Sequence, residues 1–192
     1  MNRIQQIQYL IQVLLKEMPA YQEQARAFPQ DELSQRRLLR SLMNVRPPMP
    51  LDPSFLAVQD DLLSAEREEK GVVEADTLPD RPGHHGITVW QGDITRLKAD
   101  AIVDADNDRL LGCFVPCHGC IDNAIHSAAG LQLRDECNRL MEQQGRPEPT
   151  GQAKLTDGYN LPARYVLHTV GPIIHGRVTP QDRELLASCY RS

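Results

Sequence analysis

Aromatic residues are scarce, at 5% of the 192 residues with a single Trp. The formal net charge is −5, and no Lys/Arg run is interleaved with aromatics. Those absences exclude the stacking-and-phosphate surface of a generic nucleic-acid binder. No apolar run approaches the roughly 20 residues that cross a bilayer, so no membrane partner is expected. The N-terminus lacks a signal-peptide pattern, because Gln and Glu interrupt its apolar positions. Internal repeats and low-complexity tracts are absent. Cysteine is sparse and odd in number: there are five, and Cys113, Cys117 and Cys120 crowd into one segment. That argues against a disulfide framework and for a metal loop in a reducing compartment, so a cytoplasmic location is expected. Cys137 and Cys189, set among apolar residues, read as buried spectators.

The most informative stretch is that segment. Residues 111–126 read Leu-Gly-Cys-Phe-Val-Pro-Cys-His-Gly-Cys-Ile-Asp-Asn-Ala-Ile-His. Cys113, His118 and Cys120 offer two thiolates and an imidazole, a donor set suited to Zn²⁺, and three protein ligands leave one coordination position open. Gly112 and Gly119 give the loop freedom to converge them, and Asp122 follows two residues after Cys120. Cys117 is too close to His118 for both to coordinate comfortably. The alternative is a Gly-rich turn with incidental cysteines.

At 192 residues the chain holds one domain with an appendage. Residues 1–74 read as a helical extension. Ile4, Ile7, Ile11, Leu14, Leu15 and Met18 form the stripe of an amphipathic helix that ends at Pro19. A second helix starts near Asp31, carries Leu38, Leu39, Leu42 and Met43, and stops at Arg46-Pro47-Pro48. A third has Asp52 as N-cap, Pro53 at its first position, Val58, Leu62 and Leu63 on one face, and Gly71 past its end. Residues 75–86 have linker composition, with His84 and His85 in it either solvent-exposed or metal ligands. From residue 87 strands and helices alternate. Strands are expected at Ile87–Trp90, Ala99–Val103, Ala153–Thr156 and Tyr165–Val170. Asp122 to about Gln144 is helical with a break at Gly130, and Leu185–Tyr190 is helical again. That order implies an α/β layered sheet with ligands at strand ends.

Gly92-Asp93-Ile94-Thr95, then a strand entering an Asn-containing loop, then Leu110-Leu111-Gly112 and a helix entered through Ile121-Asp122-Asn123-Ala124-Ile125-His126, resembles the macrodomain, an α/β/α module that binds ADP-ribose. The Cys-x4-His-x-Cys arrangement of Cys113, His118 and Cys120 resembles the zinc-containing branch of bacterial macrodomain protein ADP-ribosyl hydrolases, which also carries a helical N-terminal extension. Thr150-Gly151-Gln152-Ala153 and Tyr165–Pro172 are similar to its pattern. The resemblance covers roughly residues 86–192 and, more loosely, the helical segment.

What the resemblance implies is a macrodomain-like α/β/α mixed sheet over 87–192, bound Zn²⁺, and hydrolytic removal of ADP-ribose from protein side chains. Asp93 would accept from the adenine amino group with the Ile94 backbone beside it, whereas by itself Asp93 reads as a turn or cap residue. Asn107 would contact the distal ribose. Asp122 would serve catalysis, a reading preferred to that of a plain N-cap of its helix. Backbone N–H groups around Gly112, Gly119 and Ile121 would hold the diphosphate. His126 reads as a packed, hydrogen-bonded core histidine. The partner would be ADP-ribose or an ADP-ribosylated protein, with a lipoyl-carrier protein as one implied substrate. Two other readings stand beside this one. The first is a non-catalytic ADP-ribose-binding module, or an inactive remnant retaining the zinc loop. The second is a zinc-stabilised interaction protein working through its N-terminal helices.

Two departures qualify the resemblance. The family pattern Val-Asn-Ala-Ala-Asn-Ser is replaced by Val103-Asp104-Ala105-Asp106-Asn107-Asp108, which would set three carboxylates near an incoming diphosphate. A single like-charge pair about 6 Å apart costs roughly 3 kcal/mol at an effective dielectric of 20, so weakened binding is expected. Macrodomains also continue past the position of Ser192, so the chain reads as the N-terminal portion of one, truncated at its C-terminus and with an unpaired sheet edge.

Overall fold

A computed structural model describes residues 1–192. The apolar stripes near the N-terminus become three long helices, each started by a side-chain cap, with one short helix between the first two. Helix α1 (Arg3–Glu17) starts at Asn2, whose side chain accepts from the Gln5 N–H while the Gln5 side chain accepts from the Asn2 N–H. A single 3₁₀ turn at Pro19–Tyr21 leads into α2 (Gln22–Arg26). Helix α3 (Glu32–Val45) is capped by Asp31, and α4 (Pro53–Lys70) by Asp52 with Pro53 in its first turn and Gly71 at φ 78° after its last. Only the short α2 had no counterpart in the sequence pattern. Helix α1 packs on α3 and α4, and 14 buried apolar residues, among them Ile7, Leu10, Leu14, Leu39 and Leu62, form one core there.

The following stretch is more ordered than its linker composition suggests. Strand β1 (Val73–Glu74) precedes a 3₁₀ turn, and β2 (Asp80–Arg81) pairs antiparallel with β3 (His84–Thr88) in a fully exposed ribbon. The strand expected at Ile87–Trp90 therefore only overlaps β3, and it lies outside the main sheet. His84 and His85 are exposed, and His85 Nδ1 sits 2.7 Å from Asp80 Oδ2. Strand β4 (Leu97–Lys98) pairs in parallel with β1.

The main sheet has three strands, β5 (Ala101–Ala105), β6 (Ala153–Asp157) and β7 (Tyr165–Thr169), in the order β5-β7-β6. The β5–β7 pair is parallel and the β6–β7 pair antiparallel, so the sheet is mixed, as expected. Helices α5 (Ile121–Ala129) and α6 (Leu131–Gln144) join at Gly130, φ 100°, and cover one face, α5 over β5 and α6 over β6. Ten buried residues, including Ile102, Ile125, Leu133 and Val166, make a second core between helices and sheet. Val103 and Leu155 on the other face remain 49% and 51% exposed. Helix α7 (Pro180–Cys189) ends the chain, and Ser188 Oγ donates to the Gly151 carbonyl. Cys137 is buried as expected. Cys189 is only half-buried, because α7 meets the rest of the fold at its edge.

Arg134 fastens the two cores together. It is buried, and its guanidinium donates to the carbonyls of Leu111 (2.7 Å), Met43 (2.8 Å) and Arg46 (2.7 Å). The last two belong to the end of α3, where carbonyls have no intrahelical partner. One cation thus satisfies a helix C-terminus from one region and a loop from the other.

Candidate metal loop and ligand site

The segment between β5 and α5 holds most of the expected site residues. Its path depends on Gly112 at φ 78°: a Cβ there would meet the His126 ring at 2.8 Å, so only glycine lets the loop lie against that imidazole. Beyond it, Cys113 Sγ and His118 Nδ1 lie 3.6 Å apart, and Cys120 Sγ is within 4.8 Å of both. The three donors converge from one short segment, and two sulfurs with one ring nitrogen fit a borderline divalent ion such as Zn²⁺. Cys117, at φ 52°, turns away from them. Its Sγ is 3.3 Å from Ser41 Oγ and its N–H donates to Asn44 Oδ1 at 2.9 Å, both on α3.

Helix α3 holds this loop in place. Arg40 donates to Asn123 Oδ1 at 2.7 Å and to the His118 carbonyl at 3.4 Å, and Asn44 Nδ2 donates to Ser127 Oγ at 3.0 Å. Asn123 Nδ2 in turn donates to the Val115 carbonyl at 3.0 Å. The helical extension is therefore the scaffold of the loop and not a separate appendage.

Cys120 caps α5, accepting the Asn123 N–H at 3.3 Å. Burial pushes its thiol up, and the neighbouring Cys113 adds to that. Asp122, which could have been the cap on sequence grounds, sits inside the first turn and faces inward, buried. Burial, followed by the Asp106 carboxylate, raises it to about 7. Ile121 is exposed, and Gly119 is open on its outer side. Asn107 lies at the surface, where its Nδ2 donates to Asp106 Oδ1 (3.0 Å) and the Gly112 carbonyl (3.4 Å), knitting the loop. Asp93 accepts the Thr95 N–H (3.0 Å) and hydroxyl (2.7 Å), capping the 3₁₀ turn Ile94–Arg96. That turn packs on α5, beside a cavity of about 120 Å³ whose lining includes Arg36, Arg40, Arg67, Lys70 and Arg96. The trio, Gly112, Gly119, Ile121 and Asp122 thus form one continuous segment, and Asp93 and Ile94 meet α5 from another side.

The aspartate-rich stretch is arranged differently from its sequence reading. Strand alternation turns Ile102 and Asp104 inward and Val103 outward, and Asp106 continues the inward parity. Only Asp108 of the three carboxylates is exposed, so the expected repulsion of a diphosphate by three of them does not hold. On β7 the same alternation buries Val166 and His168, and the register sets Asp104 opposite His168. Helix α5 adds Asp122 and His126. Burial, with Asp122 and Asp106 nearby, raises Asp104 to about 9. Burial lowers His126 to about 4. Burial works to raise Asp106 as well, but the two imidazoles hold it below the usual carboxylate range. His126 is buried as expected, yet neither ring nitrogen has a hydrogen-bond partner. The period-2 parity of Asp104, Asp106 and His168 was the available signal for this cluster.

A mixed sheet with helices on one face and a cysteine-bearing loop between β5 and α5 defines an α/β domain. Residues 103–192 match the family model described as Macro domain. The chain is 50% identical over 186 residues to a protein-ADP-ribose hydrolase of Treponema medium, covering 96% of this chain and 70% of the relative. It is 51% identical over 156 residues to a protein-ADP-ribose hydrolase of Staphylococcus aureus, covering 81% of this chain and 58% of that protein. Among solved structures, a Trypanosoma brucei macrodomain in complex with ADP-ribose aligns with TM-score 0.54 and 32% identity, over 79% of this chain and 64% of that one. The chain belongs to the macrodomain family, among relatives named as protein-ADP-ribose hydrolases.

Proposed function

We propose that the protein binds ADP-ribose and hydrolyses it from modified protein side chains, with Zn²⁺ held by Cys113, His118 and Cys120. The observation that carries the reading is the convergence of those three donors within 4.8 Å directly before the helix bearing Asp122. A bound zinc would act as a Lewis acid at the distal ribose and its attacking water. The rest is the work of the chain. The first-turn N–H groups of α5 at Ile121 and Asp122 have no intrahelical partner and favour a diphosphate there. Gly119 leaves room for the ligand to approach the backbone. Asp93 reaches the adenine amino group with its free carboxylate capacity, since one oxygen serves Thr95. Asn107 presents the distal ribose edge. Asp122 orients the ribose or water, because a carboxylate placed inside a buried helix turn keeps one geometry.

A modified lipoyl-carrier protein, in a cytoplasmic setting, is the substrate proposed. No helix is long and apolar enough to cross a membrane. The test is incubation with an ADP-ribosylated carrier protein and quantification of free ADP-ribose, alongside calorimetry with ADP-ribose itself. Release that Asp122→Asn suppresses while binding persists is the expected outcome. Binding without release by the parent protein would select the non-catalytic module instead. Absence of both would return the reading to an interaction protein.

A further inference from the structure

Of the cluster under α5, Asp122 alone has a role in that chemistry; Asp104, Asp106, His126 and His168 have none. Both carboxylate oxygens of Asp104, Asp122 Oδ1 and both ring nitrogens of His126 are buried without a hydrogen-bond partner. Asp104 and His168 are 0% exposed. Arg134, the nearby cation, spends its donors on the carbonyls of Leu111, Met43 and Arg46. Buried polar atoms without a partner are costly, and an ion held among them would satisfy them.

We propose that Asp104, Asp106, His126 and His168 form a second, interior site for a divalent transition-metal ion, distinct in residues and donor type from the cysteine loop. Their ligand atoms all lie within 4.8 Å of one another. His168 Nδ1 is 3.1 Å from Asp106 Oδ2 and 3.6 Å from Asp104 Oδ2, and His126 Nε2 is 3.9 Å from each of those oxygens. Metal bonds of about 2.0–2.2 Å place neighbouring ligands roughly 3–3.6 Å apart, so the four carboxylate–imidazole separations of 3.1–3.9 Å are at or within a few tenths of an ångström of that range. Two carboxylates and two neutral imidazoles balance the charge of a divalent ion, and an O₂N₂ set suits Zn²⁺, Mn²⁺, Fe²⁺ or Co²⁺.

The supporting contacts are those a metal site needs. His168 Nε2 lies 3.0 Å from Thr156 Oγ1, which leaves Nδ1 aimed into the cluster. Asp106 is steadied through its other oxygen, which accepts from the Asn107 N–H at 2.7 Å. His126 is fixed against Gly112, which leaves only its Nε2 edge facing the carboxylates. Asp122 Oδ1, 3.7 Å from His126 Nε2, borders the set.

Because the site is closed, the ion enters during folding, and the protein is best produced in cobalt-supplemented medium and analysed by elemental analysis and visible absorption. In the variant Cys113→Ser/His118→Ala/Cys120→Ser, one tightly held ion per chain should remain, with cobalt d–d bands and no thiolate charge-transfer band. In Asp104→Asn/Asp106→Asn that ion should be lost while the thiolate band of the loop persists. If the aspartate variant fails to fold, the loop variant alone decides. A loop variant without metal, or a retained ion with a thiolate spectrum, overturns the proposal. So does an aspartate variant whose metal content equals that of the parent.

Discussion

The helical region and the α/β region bury themselves by different means. The first contributes 13 of the 14 residues of its apolar core, nearly all Leu, Ile, Met and Phe, with Gln35, Asn44, Arg46 and Gln59 also buried. The second has 10 in its apolar core, next to buried Asp104, Asp106, Asp122, His126 and His168. An apolar core gains stability from burial at about 25 cal/mol per Å² and requires no special geometry beyond close packing. A core with buried ionisable groups gains less per residue and depends on each group finding a partner. The difference teaches where function sits. The N-terminal helices supply stability and brace the loop, and the α/β region carries the buried polar groups left without a hydrogen-bond partner.

The predictions that break or sharpen this contrast run from large to small. Arg134→Met should be the most damaging change, about 3–5 kcal/mol by chemical denaturation. It strands carbonyls on both sides of the joint, and buried unsatisfied groups cost about 1–3 kcal/mol each. If it unfolded the α/β region alone in hydrogen exchange, the coupling between the regions would be disproved. Leu39→Ala should cost about 2–5 kcal/mol through a cavity in the helical core, measured by the same transition. Asn44→Ala should cost about 1–3 kcal/mol and also loosen the metal loop, since both the Cys117 N–H and Ser127 lose a partner. Zinc affinity should fall with it, whereas Leu39→Ala should lower stability first. Asp52→Ala, an exposed cap far from the loop, should cost only about 1 kcal/mol and leave zinc affinity unchanged.

Legibility in the sequence follows the same contrast. The three long N-terminal helices were readable, the second and third with their caps, because Asp31, Asp52, Pro53 and Gly71 act locally; the Asn2 cap of the first was not read. The convergence of Cys113, His118 and Cys120 was readable because all three sit in one segment. The capping of α5 by Cys120 was not, since a thiol is an uncommon cap and Asp122 offered the commoner chemistry. The interior cluster was missed because it is assembled by strand register. Asp104 and His168 are 64 positions apart in sequence, and only the β5–β7 pairing sets them opposite. The aspartates looked like surface charge, although the alternation of Ile102, Val103 and Asp104 already carried their inward direction. The exposed β2–β3 ribbon was hidden by linker-like composition.

The central claim is that a zinc held by two thiolates and an imidazole is required for release of ADP-ribose. The most direct check strips the protein with a chelator, adds zinc back in steps, and follows free ADP-ribose from a modified carrier. The account predicts that activity vanishes on stripping and returns as the loop fills with one equivalent, with no recovery in Cys113→Ser. Full release by stripped protein, or by that variant, would contradict it.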